Sequence, residues 1–119
     1  MKRRRVLLLV EPQSEAMDRA FSTLKKPSKK YAGTLVISFP DFEMLGRVIT
    51  GARMEILRSI RVHKPKSIQE LARLVKRDFK NVYGDVKLLA EVGLIELEET
   101  GPRSASTPRA KFSELVFAA

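Results

Sequence analysis

Apolar and polar positions alternate with a period that changes several times along the chain, and each change marks an element. Val6 to Val10 is a continuous apolar run closed by Glu11-Pro12, which predicts a buried strand. From Ser14 to Lys26 the spacing turns helical, with Met17, Ala20, Phe21 and Leu24 on one face. Ser14 is placed to cap that helix and Pro27 to stop it. Pro27-Ser28-Lys29-Lys30 reads as a basic linker, and Thr34 to Phe39 as a second strand. Asp41 then caps a helix carrying Phe42, Leu45, Val48 and Ile49. After Thr50-Gly51, the positions Met54, Ile56, Leu57 and Ile60 give the inner face of a helix from Ala52 to His63.

The most informative stretch is Ser67 to Glu98. Ser67 and Glu70 have the spacing of a capping box, and Ile68, Leu71, Ala72 and Val75 form a short inner stripe. Lys76-Arg77 predicts a tight turn, with Asp78 as the next N-cap. The helix that follows, Phe79 to Val92, places Phe79, Val82, Val86 and Leu89 on one stripe. Gly93 stops it, and Leu94 to Glu98 predicts a strand. Thr100 to Pro108 is a polar turn region, and Ala110 to Ala118 can return as the partner strand. Helix, turn, longer helix and hairpin is the order of a helix-turn-helix with a wing, which places its second helix in the DNA major groove.

Charge strengthens that expectation and complicates it. The chain has 119 residues, a net charge of +9 and 44% hydrophobic residues. That length suits one domain with a small appended lobe, and the basic excess favours a polyanionic partner. Ordinary solubility accounts for the same charge. Residues 1–33 hold nine Lys or Arg against three Asp or Glu, whereas residues 67–98 hold five against six. The segment expected to read DNA is the least basic part of the chain.

There is no cysteine and one histidine, His63, which excludes a disulfide framework and thiolate metal sites. Met1 to Arg5 followed by Val6 to Val10 imitates a signal peptide, but five apolar residues fall short of an h-region. No run approaches the ~20 apolar residues of a membrane span. A cytoplasmic location without membrane attachment is expected. Acidic residues are scattered, no serine has a base at motif spacing, and the glycines form no phosphate loop. No catalytic activity, metal or cofactor is expected.

Candidate chemistry therefore lies in binding. Lys80, Asn81, Tyr83, Gly84 and Lys87 are the outward positions of the long helix. Lysine can bond guanine or neutralise phosphate, and asparagine can pair with adenine. A solvated helix face would carry the same residue types. Gly84 costs about 1 kcal/mol against alanine in a helix interior, so it marks either a close approach or a weak spot. Ser67, Lys76 and Arg77 at the helix-turn are further candidate contacts. So are Arg103, Arg109 and Lys111 in the wing, where arginines suit the minor groove. Lys2, Arg3, Arg4 and Arg5 form a basic arm that either adds phosphate contacts or is a solvated terminus.

The runs Lys66-Ser67-Ile68-Gln69-Glu70-Leu71-Ala72-Arg73, Arg77-Asp78-Phe79-Lys80-Asn81-Val82, Asp85-Val86-Lys87-Leu88-Leu89 and Gly93-Leu94-Ile95 resemble MarR-like winged helix-turn-helix transcriptional regulators of archaea and bacteria. The likeness covers roughly residues 34–117. It implies double-stranded DNA as partner, a homodimer and repression, with Lys80, Asn81 and Lys87 facing the groove. Some members of that group are antitoxins, which suggests a toxin protein as a further partner. Tyr83-Gly84 stand where the group usually has His-Arg, which removes one phosphate or base contact.

The expected fold is α+β: a strand-helix-strand extension over residues 1–40, suited to dimerisation, and a winged helix-turn-helix over residues 41–119. The expected function is sequence-specific, dimeric transcriptional regulation. A winged-helix protein-interaction module and a non-specific, chromatin-like DNA coater are the alternatives.

Overall fold

The apolar run at the start of the chain becomes β1 (Arg5–Val10), the middle strand of a three-stranded sheet. The computed structural model describes residues 5–25, 33–99 and 106–119, and among these the fold is α+β, with five helices and five strands. The chain divides into two compact units, residues 1–47 with 112–119, and residues 48–111.

In the first unit, α1 (Gln13–Lys25) connects β1 to β2 (Thr34–Phe39), and the two strands pair in parallel from Arg5↔Thr34 to Val10↔Phe39. Parallel neighbours require such a crossover. The third strand is β5 (Glu114–Ala118), which pairs in parallel with β1 from Arg5↔Glu114 to Leu9↔Ala118. Central placement explains why β1 is apolar from Val6 to Val10: Val6 and Leu8 are buried, and Leu7, Leu9 and Val10 are half-buried. Glu11 ties the unit together, pairing with Arg19 of α1 and accepting from Ser38 Oγ of β2 at 3.0 Å. Helix α1 begins at Gln13, with Pro12 O accepting from Glu15 and Ala16 N–H, so Ser14 lies inside the first turn instead of capping it. Helix α2 (Phe42–Val48) follows β2, and Asp41 Oδ1 accepts from Met44 N–H at 2.9 Å as its cap.

The second unit contains α3 (Gly51–His63), α4 (Ile68–Val75), α5 (Phe79–Val92) and the antiparallel pair β3 (Glu96–Glu99) and β4 (Ser106–Arg109). Each helix begins on an oxygen that the sequence supplies. Thr50 Oγ1 accepts from Arg53 N–H, Ser67 Oγ from Glu70 N–H and Asp78 Oδ2 from Lys80 N–H. The Ser67 box is displaced by one residue, because Glu70 Oε2 accepts from Lys66 N–H instead of from Ser67. Lys64 and Lys76 close α3 and α4 in the left-handed conformation, at φ 48° and 57°. Gly93 closes α5 at φ 98°, where a side chain would be strained, and Leu94 N–H reaches back to Leu89 O at 2.9 Å.

The core of this unit is built from Ile56, Leu57 and Ile60 of α3, Ile68, Leu71 and Ala72 of α4, Val82, Val86 and Leu89 of α5, and Leu94-Ile95. Thr107 is buried on β4, and its Oγ1 donates to Lys66 O at 2.7 Å, fixing the hairpin to the loop before α4.

Two expectations require correction. Ala110–Ala118 does not return as the wing partner: β4 takes that place, with Pro108 fully buried opposite Leu97, and β5 joins the other unit. The expected division after residue 40 also moves, since residues up to Arg47 and the closing residues 112–119 belong with the first strands. Strand pairing is non-local, and an apolar period cannot name its partner. No helix among the described residues is long and apolar enough to cross a membrane.

Candidate nucleic-acid interface

Helix α5 is divided sharply between two faces. Val82, Val86 and Leu89 have no exposure at all. Burying each of these side chains stabilises the unit by about 1.5–3 kcal/mol, which fixes the rotation of the helix about its axis. That rotation leaves Lys80, Asn81, Tyr83, Gly84 and Lys87 exposed, as their spacing predicts.

Phe79 departs from the expected stripe. It is 44% exposed, beside Tyr83 at 43%. The two rings lie 5.9 Å apart between centroids, tilted by 35°, and Lys87 Nζ stands 6.0 Å over the Tyr83 ring. Phe79 is the first residue of its helix, so it extends past the end of the core that receives Val82. An open cleft beside it is lined by Gln69, Ala72, Arg73, Lys76 and Arg77 from α4 and the turn. Gln69 and Arg73 escaped the sequence reading. Their signal was an i, i+4 spacing on the outer side of the short helix.

The turn that aims α5 is held by an ion triad. Asp85 Oδ1 accepts from Arg53 Nε at 3.0 Å, and Asp85 Oδ2 from Arg77 Nη2 at 2.9 Å. Arg53 Nη1 also donates to Val48 O at 3.1 Å. The side chains of Arg53, Arg77 and Asp85 are 20%, 32% and 15% exposed. One carboxylate thus ties α3, the turn and α5. Arg77, expected at the DNA, is turned toward Asp85, and its Nη1 is buried without a hydrogen-bond partner among the described residues. Lys76 is exposed beside it as the left-handed cap of α4. Ser67 Oγ is occupied as the α4 cap.

The hairpin corrects another expectation. Arg109 lies at the end of β4 opposite Glu96, and its Nε donates to Glu98 Oε2 at 3.2 Å. Lys111 Nζ pairs with Glu98 at 3.0 Å and Glu96 at 3.1 Å. These cations are at the base of the hairpin, neutralised by cross-strand acids. The Lys111 hydrogen bond holds the Glu98 carboxyl below its ordinary 4.5, and Glu98 in turn raises Lys111 above its ordinary 10.5. Arg103, Lys2, Arg3 and Arg4 lie outside the described residues. Arg5 is in β1 rather than a free arm, paired with Glu114 at 3.0 Å.

His63 is exposed at the end of α3. Among the described residues, no group of three His, Asp or Glu side chains could hold a metal ion.

Fold and site together define a small α+β chain with one cationic, partly aromatic helical face held on a buried frame. The chain belongs to the HVO_A0114 family, whose model matches residues 48–117. The match starts at the first residue of the second unit and runs through most of β5. No curated protein matches the chain.

Proposed function

We propose that the second unit is a winged helix-turn-helix that binds double-stranded DNA through α5, and that the chain is a dimeric, sequence-specific transcriptional repressor in the cytoplasm. The observation that carries this reading is the division of α5: three fully buried residues behind Lys80, Asn81, Tyr83, Gly84 and Lys87. A helix so locked has its exposed face pre-positioned, and that face carries groups able to bond base edges and phosphates. The order α3–α4–α5–β3–β4 and the likeness to MarR-like regulators support the same assignment.

Dimerisation through the first unit is part of the proposal. The outer strands β2 and β5 of its sheet, with the exposed Phe42–Phe117 pair, suit a second copy. Two recognition helices would then sit about one DNA turn, roughly 34 Å, apart.

Competition with random DNA tests the assignment. A regulator selected on a duplex pool keeps its preferred site in excess competitor. Asn81→Ala is expected to cost about 1–3 kcal/mol and relax preference at one base pair. Lys87→Ala should weaken all duplexes and reduce the salt slope by about 1. If neither variant changes binding, α5 is not the reading helix.

The neutralised hairpin favours a second reading. With Arg109 and Lys111 paired to Glu96 and Glu98, and residues 67–98 slightly acidic, the unit could instead bind a protein, an antitoxin's toxin among the options. Absence of duplex binding at low salt would favour that alternative.

A further inference from the structure

The cationic face of α5 contains an apolar ridge that phosphate binding does not use. Phe79 and Tyr83, one helical turn apart, are each more than two-fifths exposed, and their rings touch. Lys80 and Lys87 lie on the same exposed side, with Arg73 and Lys76 across the cleft. A partner that covers this surface must therefore be negatively charged and also present something apolar between its charges.

In duplex DNA the major groove does both. Its phosphates flank base edges on which the C5-methyl of thymine is the apolar group, and phenylalanine is a side chain that contacts it. Single strands offer base faces for stacking instead. Here the Lys87 ammonium already stands over the Tyr83 ring, and the Phe79 ring flanks it, so Tyr83 is poorly placed to accept a stacked base.

We propose that Phe79, supported by Tyr83, is a specificity-determining residue that reads a thymine methyl group in the major groove. The proposal rests on the duplex-binding reading above and names the base feature recognised there. Phe79 supplies the apolar surface. The ring of Tyr83 packs beside it, and Lys80 and Lys87 neutralise the phosphates flanking the groove.

The test uses the full chain and a duplex selected from a random pool, with each thymine replaced in turn by deoxyuridine, which removes the methyl group alone. One position should lose about fourfold in affinity, the value of burying one methyl group. Phe79→Ala, whose exposed site should leave folding intact by circular dichroism, should bind thymine and uracil at that position equally. Tyr83→Phe should keep the preference. Equal binding of every uracil-substituted duplex by the wild-type chain overturns the proposal without help from any variant. Persistence of the thymine preference in Phe79→Ala overturns it too, as does tighter binding of the selected single strand than of its duplex. A pool that yields no enriched duplex overturns the duplex-binding reading itself, a result distinct from loss of the methyl effect alone.

Discussion

Each unit of this chain exposes a pair of aromatic rings, and the surroundings of the two pairs differ. In the second unit Phe79 and Tyr83 stand among Lys80, Lys87, Arg73 and Lys76. In the first, Phe42 and Phe117 stack at 6.2 Å with an interplanar angle of 18°, and the neighbouring cation Arg47 is paired with Glu43 at 2.7 Å. Exposed aromatic surface by itself does not identify a partner. Neighbouring charge distinguishes the candidates: cations around one pair suit a polyanion, and a neutralised surface beside an outer strand suits another protein surface, a second copy in the function proposed above.

The largest expected effect breaks the frame under one pair and spares the other. Asp85→Asn removes the charge shared by Arg53 and Arg77 and leaves two cations facing a neutral amide. Loss of one partner from a fully buried pair costs several kcal/mol; discounted for the 15–32% exposure of this triad, the expectation is about 1–3 kcal/mol. Denaturant unfolding measures the total. Hydrogen exchange should accelerate in α3 and α5 while β1 amides keep their protection. Equal acceleration in β1 would mean that the two aromatic pairs rest on one cooperative frame.

A smaller effect separates the partners. Phe117→Ser should raise the dimer dissociation constant by about tenfold or more, the loss of one aromatic anchor from an interface. Affinity for a single DNA half-site should stay unchanged. Sedimentation across a concentration series reads the first quantity and titration with a half-site duplex the second. A wild-type chain that stays monomeric throughout would dissolve the assignment of the Phe42–Phe117 surface.

The two pairs were unequally legible in the sequence. Local signals identified the second unit's helices well: Thr50-Gly51, Ser67, Asp78 and Gly93 each act through hydrogen bonds or backbone freedom within a few residues. The buried stripe of α5 was legible for the same reason, except at Phe79, where the spacing holds but the core has ended. Phe42 and Phe117 belong to elements about seventy residues apart in sequence, and nothing in either segment names the other. Of the two cations that Asp85 holds, Arg77 is eight residues away, but Arg53 lies 32 residues away and only the fold brings it close. Arg109 and Lys111 were read as free wing cations because cross-strand acids become neighbours only once register is known.

The smallest effect has two opposed signs and tests whether DNA approaches the second pair closely, as the proposed function requires. Gly84 is exposed in mid-helix, one turn from Lys80 and just before the ion-triad residue Asp85. A Cβ built there meets nothing within 4 Å, so Gly84→Ala should stabilise the unit by about 0.5–1 kcal/mol through helix propensity alone. Were α5 merely a solvated face, duplex affinity would hold or rise with that gain. If a DNA backbone or base edge comes against the helix at Gly84, the added methyl meets it, and affinity falls while the melting temperature rises. Melting and duplex titration of the one variant therefore separate a helix seated in a groove from one touching DNA only through its long side chains. A rise in both quantities would confine any contact to the longer side chains Phe79, Lys80, Asn81, Tyr83 and Lys87, and would show that neither packing nor recognition requires the glycine.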